Sequence, residues 1–275
     1  PVGVLPAADF LQIPAEVTFD PLFLFFLPFE GTAAWVLWGV LLGIGVVLTI
    51  LPWLPSKDSQ LPRVEIIDEN CTGCTRCAVD CPYKAIEIVE RPEGSTHKYL
   101  AVADPSLCVS CGICIGSCLD HAITLGDAPP DALWQTVQQR IAFAQGGAAE
   151  GVEVDVEIVF ACERYANQSA RPYLERKVEG VVATHELIEV IAVPCAGAVP
   201  PDVLTYALEE GAAEVRIVGC PPDDCANREG NRWEEQRLTR DRVPKLRRRY
   251  ANVPISAIWL PPDQFDEGLA ADVAA

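Results

Sequence analysis

The sequence predicts a multidomain chain of mixed α+β and α/β class. It should hold a transmembrane helix near the N-terminus, a small cysteine-dense domain, and a C-terminal α/β domain on a largely parallel sheet. Three observations carry that prediction. Residues 33–54 contain no charged side chain. Eight cysteines between Cys71 and Cys118 fall into two copies of one spacing. Beyond Asp131, apolar β-rich runs alternate with helical segments, as in a parallel sheet with crossover helices. The expected division is 1–32 as an extracytoplasmic or interfacial segment and 33–54 as the membrane helix. A linker at 55–63, the cysteine-dense domain at 64–126 and the α/β domain at 127–275 complete it.

Within 1–32, the stretch 21–29 (PLFLFFLPF) is apolar but too short and proline-bounded to span a bilayer, so it reads as interfacial or re-entrant. The run 33–54 has about 22 residues, some 30 Å of helix at about 1.5 Å each, which matches a bilayer core. Trp35, Trp38 and Trp53 lie near its ends, where an aromatic belt belongs, and Gly39, Gly43 and Gly45 give one small-residue face. No Lys or Arg precedes it, whereas Lys57 and Arg63 follow, which puts the C-terminal side in the cytoplasm. Together these segments resemble the C-terminal part of quinol-oxidising cytochrome b, where a Pro-Glu-Trp-Tyr motif precedes a Phe-Leu-Pro-Phe stretch and a further membrane helix. Phe26, Leu27, Pro28 and Phe29 fit that stretch. The motif's glutamate falls on Phe23, which removes the carboxylate that proton-accepting quinol chemistry would use. The alternative is an ordinary aromatic interfacial anchor.

The first cysteine copy is Cys71-x-x-Cys74-x-x-Cys77-x-x-x-Cys81-Pro82; the second is Cys108-x-x-Cys111-x-x-Cys114-x-x-x-Cys118. Three thiolates at intervals of three wrap a loop around one face of an iron–sulfur cube, and the fourth reaches across to the neighbouring cube. One [4Fe–4S] cluster is therefore assigned to Cys71, Cys74, Cys77 and Cys118, the other to Cys108, Cys111, Cys114 and Cys81. Zinc sites generally take their four ligands in two pairs, and disulfide scaffolds do not repeat this spacing. The segment resembles the bacterial two-cluster ferredoxins. Residues 64–67 and 86–89 read as its strands, and 90–103 as a long hairpin connection with Pro92-Glu93-Gly94 at its tip.

After a helix at 131–145, strands are expected at 152–160, 187–193, 214–218 and 255–260, with helices at 201–210 and 231–250. Cys162, Cys195, and the pair Cys220 and Cys225 each follow one of the first three strands. The carboxyl ends of parallel strands share one edge, so the four thiols should converge there. Four cysteine ligands suit a [2Fe–2S] cluster or zinc. The local motifs Phe160-Ala161-Cys162, Val193-Pro194-Cys195-Ala196-Gly197 and Gly219-Cys220-Pro221-Pro222-Asp223-Asp224-Cys225 resemble the delta subunit of methyl-viologen-reducing hydrogenase. That resemblance implies one [2Fe–2S] cluster and a relay between a hydrogenase and heterodisulfide reductase. Tyr165 stands where the family usually has a further cysteine, and Pro221 where it has a histidine.

Composition narrows the function. The 275 residues carry 39 acidic and 21 basic side chains, a net charge of -18, which reads as a solvated acidic surface and argues against nucleic acid. Twelve cysteines in these patterns belong in a reducing compartment. His97, His121 and His185 are isolated and read as solvent-facing, and the basic run 245–249 as a solvated helix face. No phosphate-binding glycine loop or nucleophile–base pair occurs, so catalytic residues, flavin and nicotinamide are not expected. The expectation is a single-pass subunit of the inner membrane, its cluster domains on the cytoplasmic side. Two [4Fe–4S] clusters and one [2Fe–2S] cluster would relay electrons between two partners. One is a cytochrome b-like or other quinone- or haem-bearing membrane subunit. The other is a soluble oxidoreductase, heterodisulfide-reductase-like or a hydrogenase. The alternative is an assembly subunit that tethers a cytoplasmic enzyme to the bilayer, its clusters serving only as structural staples.

Overall fold

A computed structural model of the chain describes residues 34–54, 61–146, 155–164, 186–250 and 252–264. The chain forms two compact units, Pro1–Ser59 and Gln60–Ala275.

In the first unit, helix α1 (Ala34–Ile50) is built from the uncharged run. The expected membrane span is corrected here: among the described residues no helix is long and apolar enough to cross a membrane. The reason is local. Pro52 has no N–H to donate, and Leu51–Trp53 tighten into a 3₁₀ turn that closes the helix at Ile50. The remaining 17 residues rise about 26 Å, short of the roughly 30 Å hydrocarbon core. The single-pass inner-membrane location and the bilayer as partner lose their basis with the span. The interfacial segment, with the Phe-Leu-Pro-Phe part of the cytochrome b-like stretch, lies outside the described residues.

The second unit begins with an internally duplicated α+β fold. Strand β1 (Val64–Ile66) pairs antiparallel with β4 (Ile123–Leu125), and β2 (Ile86–Glu90) with β3 (Tyr99–Ala103). The expected hairpin at 90–103 is thus present, with β3 as its return strand. Two one-turn helices, α2 (Arg76–Val79) and α3 (Ile113–Gly116), follow the cysteine loops. The copies repeat each other down to the backbone: Gly73 and Ser110, Thr75 and Gly112, and Lys84 and His121 take left-handed φ at matching positions. Gly73 is required, because a Cβ there would lie 2.2 Å from the Tyr99 carbonyl oxygen. Arg91 ties this hairpin to the first loop, donating to the carbonyls of Asp68 at 2.7 Å and Cys71 at 3.0 Å.

The α/β part is a four-stranded sheet in the order β6-β5-β7-β8, with every pairing parallel. Its strands are β5 (Asp155–Cys162), β6 (Glu186–Val193), β7 (Glu214–Gly219) and β8 (Ile255–Trp259). Val156, Ile158 and Phe160 point to one face, where helices α4 (Ala132–Gly146) and α5 (Pro201–Glu209) cover them with Val137, Ile141, Val203 and Leu204. Val159, Ala161, Val190 and Val218 fill the opposite face. Helix α6 (Gly230–Leu238) is shorter than the expected 231–250. The chain turns at Thr239, and the basic run beyond it is a loop and a 3₁₀ turn. Leu246 in that run is buried, so it is no continuous solvated helix face.

Phe160 is fully buried in the central strand. Its replacement by Ala should cost about 3–5 kcal/mol through lost contact and the cavity left behind, read as a lowered midpoint in anaerobic urea denaturation.

Candidate functional site

The duplicated fold surrounds two cavities. One is lined by Cys71, Cys74, Cys77 and Cys118, with Ile66, Ala101 and Ile123 as apolar walls. The other is lined by Cys108, Cys111, Cys114 and Cys81, with Pro82, Tyr83 and Ile86. Each set takes three thiols from one loop and the fourth from just beyond the other copy's one-turn helix. The two crossing sulfurs accept matching backbone bonds, Ala85 N–H to Cys81 Sγ at 3.2 Å and Ala122 N–H to Cys118 Sγ at 3.4 Å.

Burial, then the neighbouring sulfurs Cys118, Cys74 and Cys71, push the Cys77 thiol up to about 12. Burial likewise raises Cys114 well above the ordinary thiol range. Four thiolates cannot coexist in such a cavity without a compensating cation, and iron bound to thiolate sulfur supplies that compensation. The donors therefore fit an iron–sulfur group. Cys74 alone of these eight is exposed, which puts one edge of the first set at the surface.

The third constellation lies at the carboxyl edge of the parallel sheet. Cys162 ends β5, Cys195 follows β6, and Cys220 directly follows β7. Cys162 and Cys220 sulfurs are 3.8 Å apart. Hydrogen bonds from Cys195 and Cys220 hold the Cys225 thiol well below its ordinary value. Sulfur–sulfur hydrogen bonds and burial raise Cys195 and Cys220 in compensation. Asn231 Nδ2 pins the loop that carries the last two thiols, donating to Cys220 O at 3.0 Å and Pro221 O at 2.7 Å. At Gly230 a Cβ would lie 2.2 Å from Cys195 Sγ, so only glycine leaves room beside the sulfur. The convergence expected from strand order is present in all four thiols. Among the described residues, no three His, Cys, Asp or Glu side chains are placed to hold a single metal ion.

A buried ionic network joins the duplicated fold to the sheet. Arg237, on α6 and without solvent exposure, donates to Asp80 Oδ2 at 3.1 Å, Ser117 Oγ at 2.8 Å, Gly197 O at 2.8 Å and Glu234 Oε2 at 3.0 Å. Arg242 reaches the other oxygen of Asp80. Burial alone would raise Asp80, but hydrogen bonds from Arg242 and Ser117 and the charge of Arg237 hold it below the usual carboxylate range. Sequence reasoning missed this network. The available signal was position: Asp80 and Ser117 each stand immediately before the fourth cysteine of their copy. Sequence reasoning also misjudged His121, which is half-buried, lies tilted against Trp134 with ring centroids 4.4 Å apart, and sits 3.2 Å from Asp202. His97 is exposed as expected, and His185 lies outside the described residues.

A duplicated fold around two four-thiol cavities, joined to a third thiol set, defines an iron–sulfur electron carrier. The comparisons with known proteins give this class its particulars. Residues 70–122 match the family model of the 4Fe-4S dicluster domain, and residues 158–246 match that of the methyl-viologen-reducing hydrogenase, delta subunit. The chain is also similar to a component of the ion-translocating oxidoreductase complex of Methanosarcina acetivorans, 33% identical over 70 residues. That stretch is 26% of this chain and 24% of the relative, so the match spans about a quarter of the relative's length. Neither family match reaches the cytochrome b-like stretch at the N-terminus.

Burial pushes Glu234 up to about 7 against the pull of Arg237. A carboxyl raised from 4.5 to about 7 on folding gives stability that is complete below about 4.5 and lost as pH rises through about 7. Anaerobic thermal melting across that interval should show wild-type stability declining toward pH 8, and Glu234→Gln should flatten the decline.

Proposed function

We propose that this chain is a relay subunit of a redox complex in which Cys71, Cys74, Cys77 and Cys118 hold one [4Fe–4S] cluster and Cys108, Cys111, Cys114 and Cys81 a second. Cys162, Cys195, Cys220 and Cys225 hold a [2Fe–2S] cluster. When bound, these groups supply one-electron oxidation and reduction at potentials set by charge, hydrogen bonds and exposure. The protein's own residues do the rest. The backbone N–H groups of Ala85 and Ala122 stabilise the crossing sulfurs, the apolar walls exclude water, and Asn231 fixes the loop between Cys220 and Cys225.

The observation that carries this reading is the mixing of thiols: each cavity gathers three from one copy and one from the other. That arrangement suits paired cubes and has no use in two separate zinc sites. The expected domain limits at 64–126 and 127–275 are kept as part of the proposal. The two family matches fall inside them, one on each side.

The partner is a soluble oxidoreductase that binds the face opened by Cys74 or the edge opened by Cys225. The matched families, a hydrogenase subunit and a dicluster domain, support a redox enzyme of that kind. Against the reading of clusters as inert staples, the relay requires centres that cycle reversibly and are reduced by the partner within turnover time.

Anaerobically isolated full-length chain should contain iron and acid-labile sulfide and give reduced-state EPR signals of both cluster types. Cys220→Ser should remove the two-iron signal and leave the four-iron signals unchanged. Loss of all signals together, or zinc in place of iron, would contradict the assignment.

A further inference from the structure

The two cavities are not equivalent toward the third thiol set. Ile113, fully buried on α3, packs against Cys195 and Ala198, with Cys111 and Trp233 alongside. Ile113 Cδ1, Cys195 Sγ and Cys225 Sγ all lie within 3.7 Å of the point where a Gly230 Cβ would sit. Tyr83, which lines the Cys81 cavity, donates its hydroxyl to Asn227 Oδ1 at 3.4 Å, two residues beyond Cys225. Arg228 covers its ring at 4.9 Å and donates to Pro82 O at 2.9 Å. The Cys71, Cys74, Cys77 and Cys118 cavity meets the α/β fold through Ser117, which lines it and accepts from Arg237. The three sets therefore form a row, with the Cys81 cavity in the middle.

What holds the middle set against the third is close backbone approach. A Cβ at Gly116 would meet Gly197 O at 2.3 Å and Arg237 Nη1 at 2.5 Å, and one at Gly197 would meet Gly230 O at 2.7 Å. Three backbones, from α3, the 196–198 turn and the start of α6, are thus stacked without intervening side chains. Arg237 fastens the stack, bonding Asp80 and Ser117 on one side and Gly197 and Glu234 on the other. Breaking a buried pair from one side leaves the remaining charge unpaired, so the arrangement holds firmly only while complete.

We propose that Arg237 is a positioning residue for electron exchange: by clamping α3 to the 196–198 turn, it fixes the separation of the Cys81 set from the third set. That pair is then the one in direct exchange. This rests on the iron–sulfur reading above. One electron leaves one set and arrives at the other, no covalent bond forms or breaks, no proton is consumed, and an external one-electron donor supplies the charge.

The test uses the full-length chain, purified anaerobically and reduced with methyl viologen radical. Iron and sulfide content, the EPR line broadening and relaxation of the third set's signal, and its stopped-flow reduction are measured together. Wild type should show broadening from the neighbouring reduced centre. Arg237→Met and the milder Ser117→Ala should keep their iron but lose that broadening and reduce the third set more slowly. Arg237→Lys should restore part of both. Gln135→Ala, which breaks the exposed 2.8 Å bond to Asp131 at the start of α4, should change neither. Should Arg237→Met not fold, Ser117→Ala decides the question alone. Full iron with unchanged broadening in both variants overturns the positioning role only. Wild-type protein without iron overturns the cluster reading, and this proposal with it.

Discussion

The structure depends on one constraint: thiol groups drawn from distant parts of the chain must meet in spaces too apolar to hold their charges unaided. Burial and neighbouring sulfur push Cys77 up to about 12 and raise Cys114 well above the ordinary thiol range. Such sets are unfavourable as bare thiolates and become favourable once a soft cation takes the charge. Much of the local geometry serves that meeting. Left-handed turns before each short helix bend the loops around their cavities, and the parallel sheet delivers Cys162, Cys195 and Cys220 to one edge.

The junction between the two folds is the second organising feature. It places a desolvated arginine among Asp80, Ser117 and Glu234, next to two glycine-lined backbone contacts. Isolated buried ion pairs seldom add stability over apolar packing, because both charges must give up water. Here the pair is hydrogen-bonded on both sides and shared by Arg242, which lies over the Trp233 ring at 4.4 Å. Its value lies in specifying one arrangement of two folds whose thiol sets must lie close together. Asp80 and Ser117 stand beside the crossing cysteines, so the junction and the cavities are built from adjacent residues of the same chain.

Much of this was legible in the sequence because cysteine spacing and strand rhythm are local patterns. The interleaved thiol sets could be written from the two motifs, and the edge convergence from the order of strands and cysteines. The hairpin tip at Pro92-Glu93-Gly94 was visible because proline and glycine mark turns by their own stereochemistry. What failed was length and context. The apolar run 33–54 counted Leu51–Leu54 as helix, yet Pro52 ends the regular hydrogen bonding. The helix expected over 231–250 lost its second half, where the chain turns at Thr239 and then buries Leu246. Arg237 looked like one of many basic residues on a polar helix. Its burial follows from a partner more than a hundred residues earlier, which no periodicity reveals.

Mössbauer spectroscopy of isotopically enriched, anaerobically purified full-length protein tests the account most directly, because it counts iron by environment. The account predicts two populations, four-iron and two-iron centres in an iron ratio of roughly four to one, with zinc absent from the stoichiometric metals. A spectrum of four-iron centres alone, with zinc bound at the sheet edge, would contradict the third centre. A spectrum lacking four-iron centres would contradict the account as a whole.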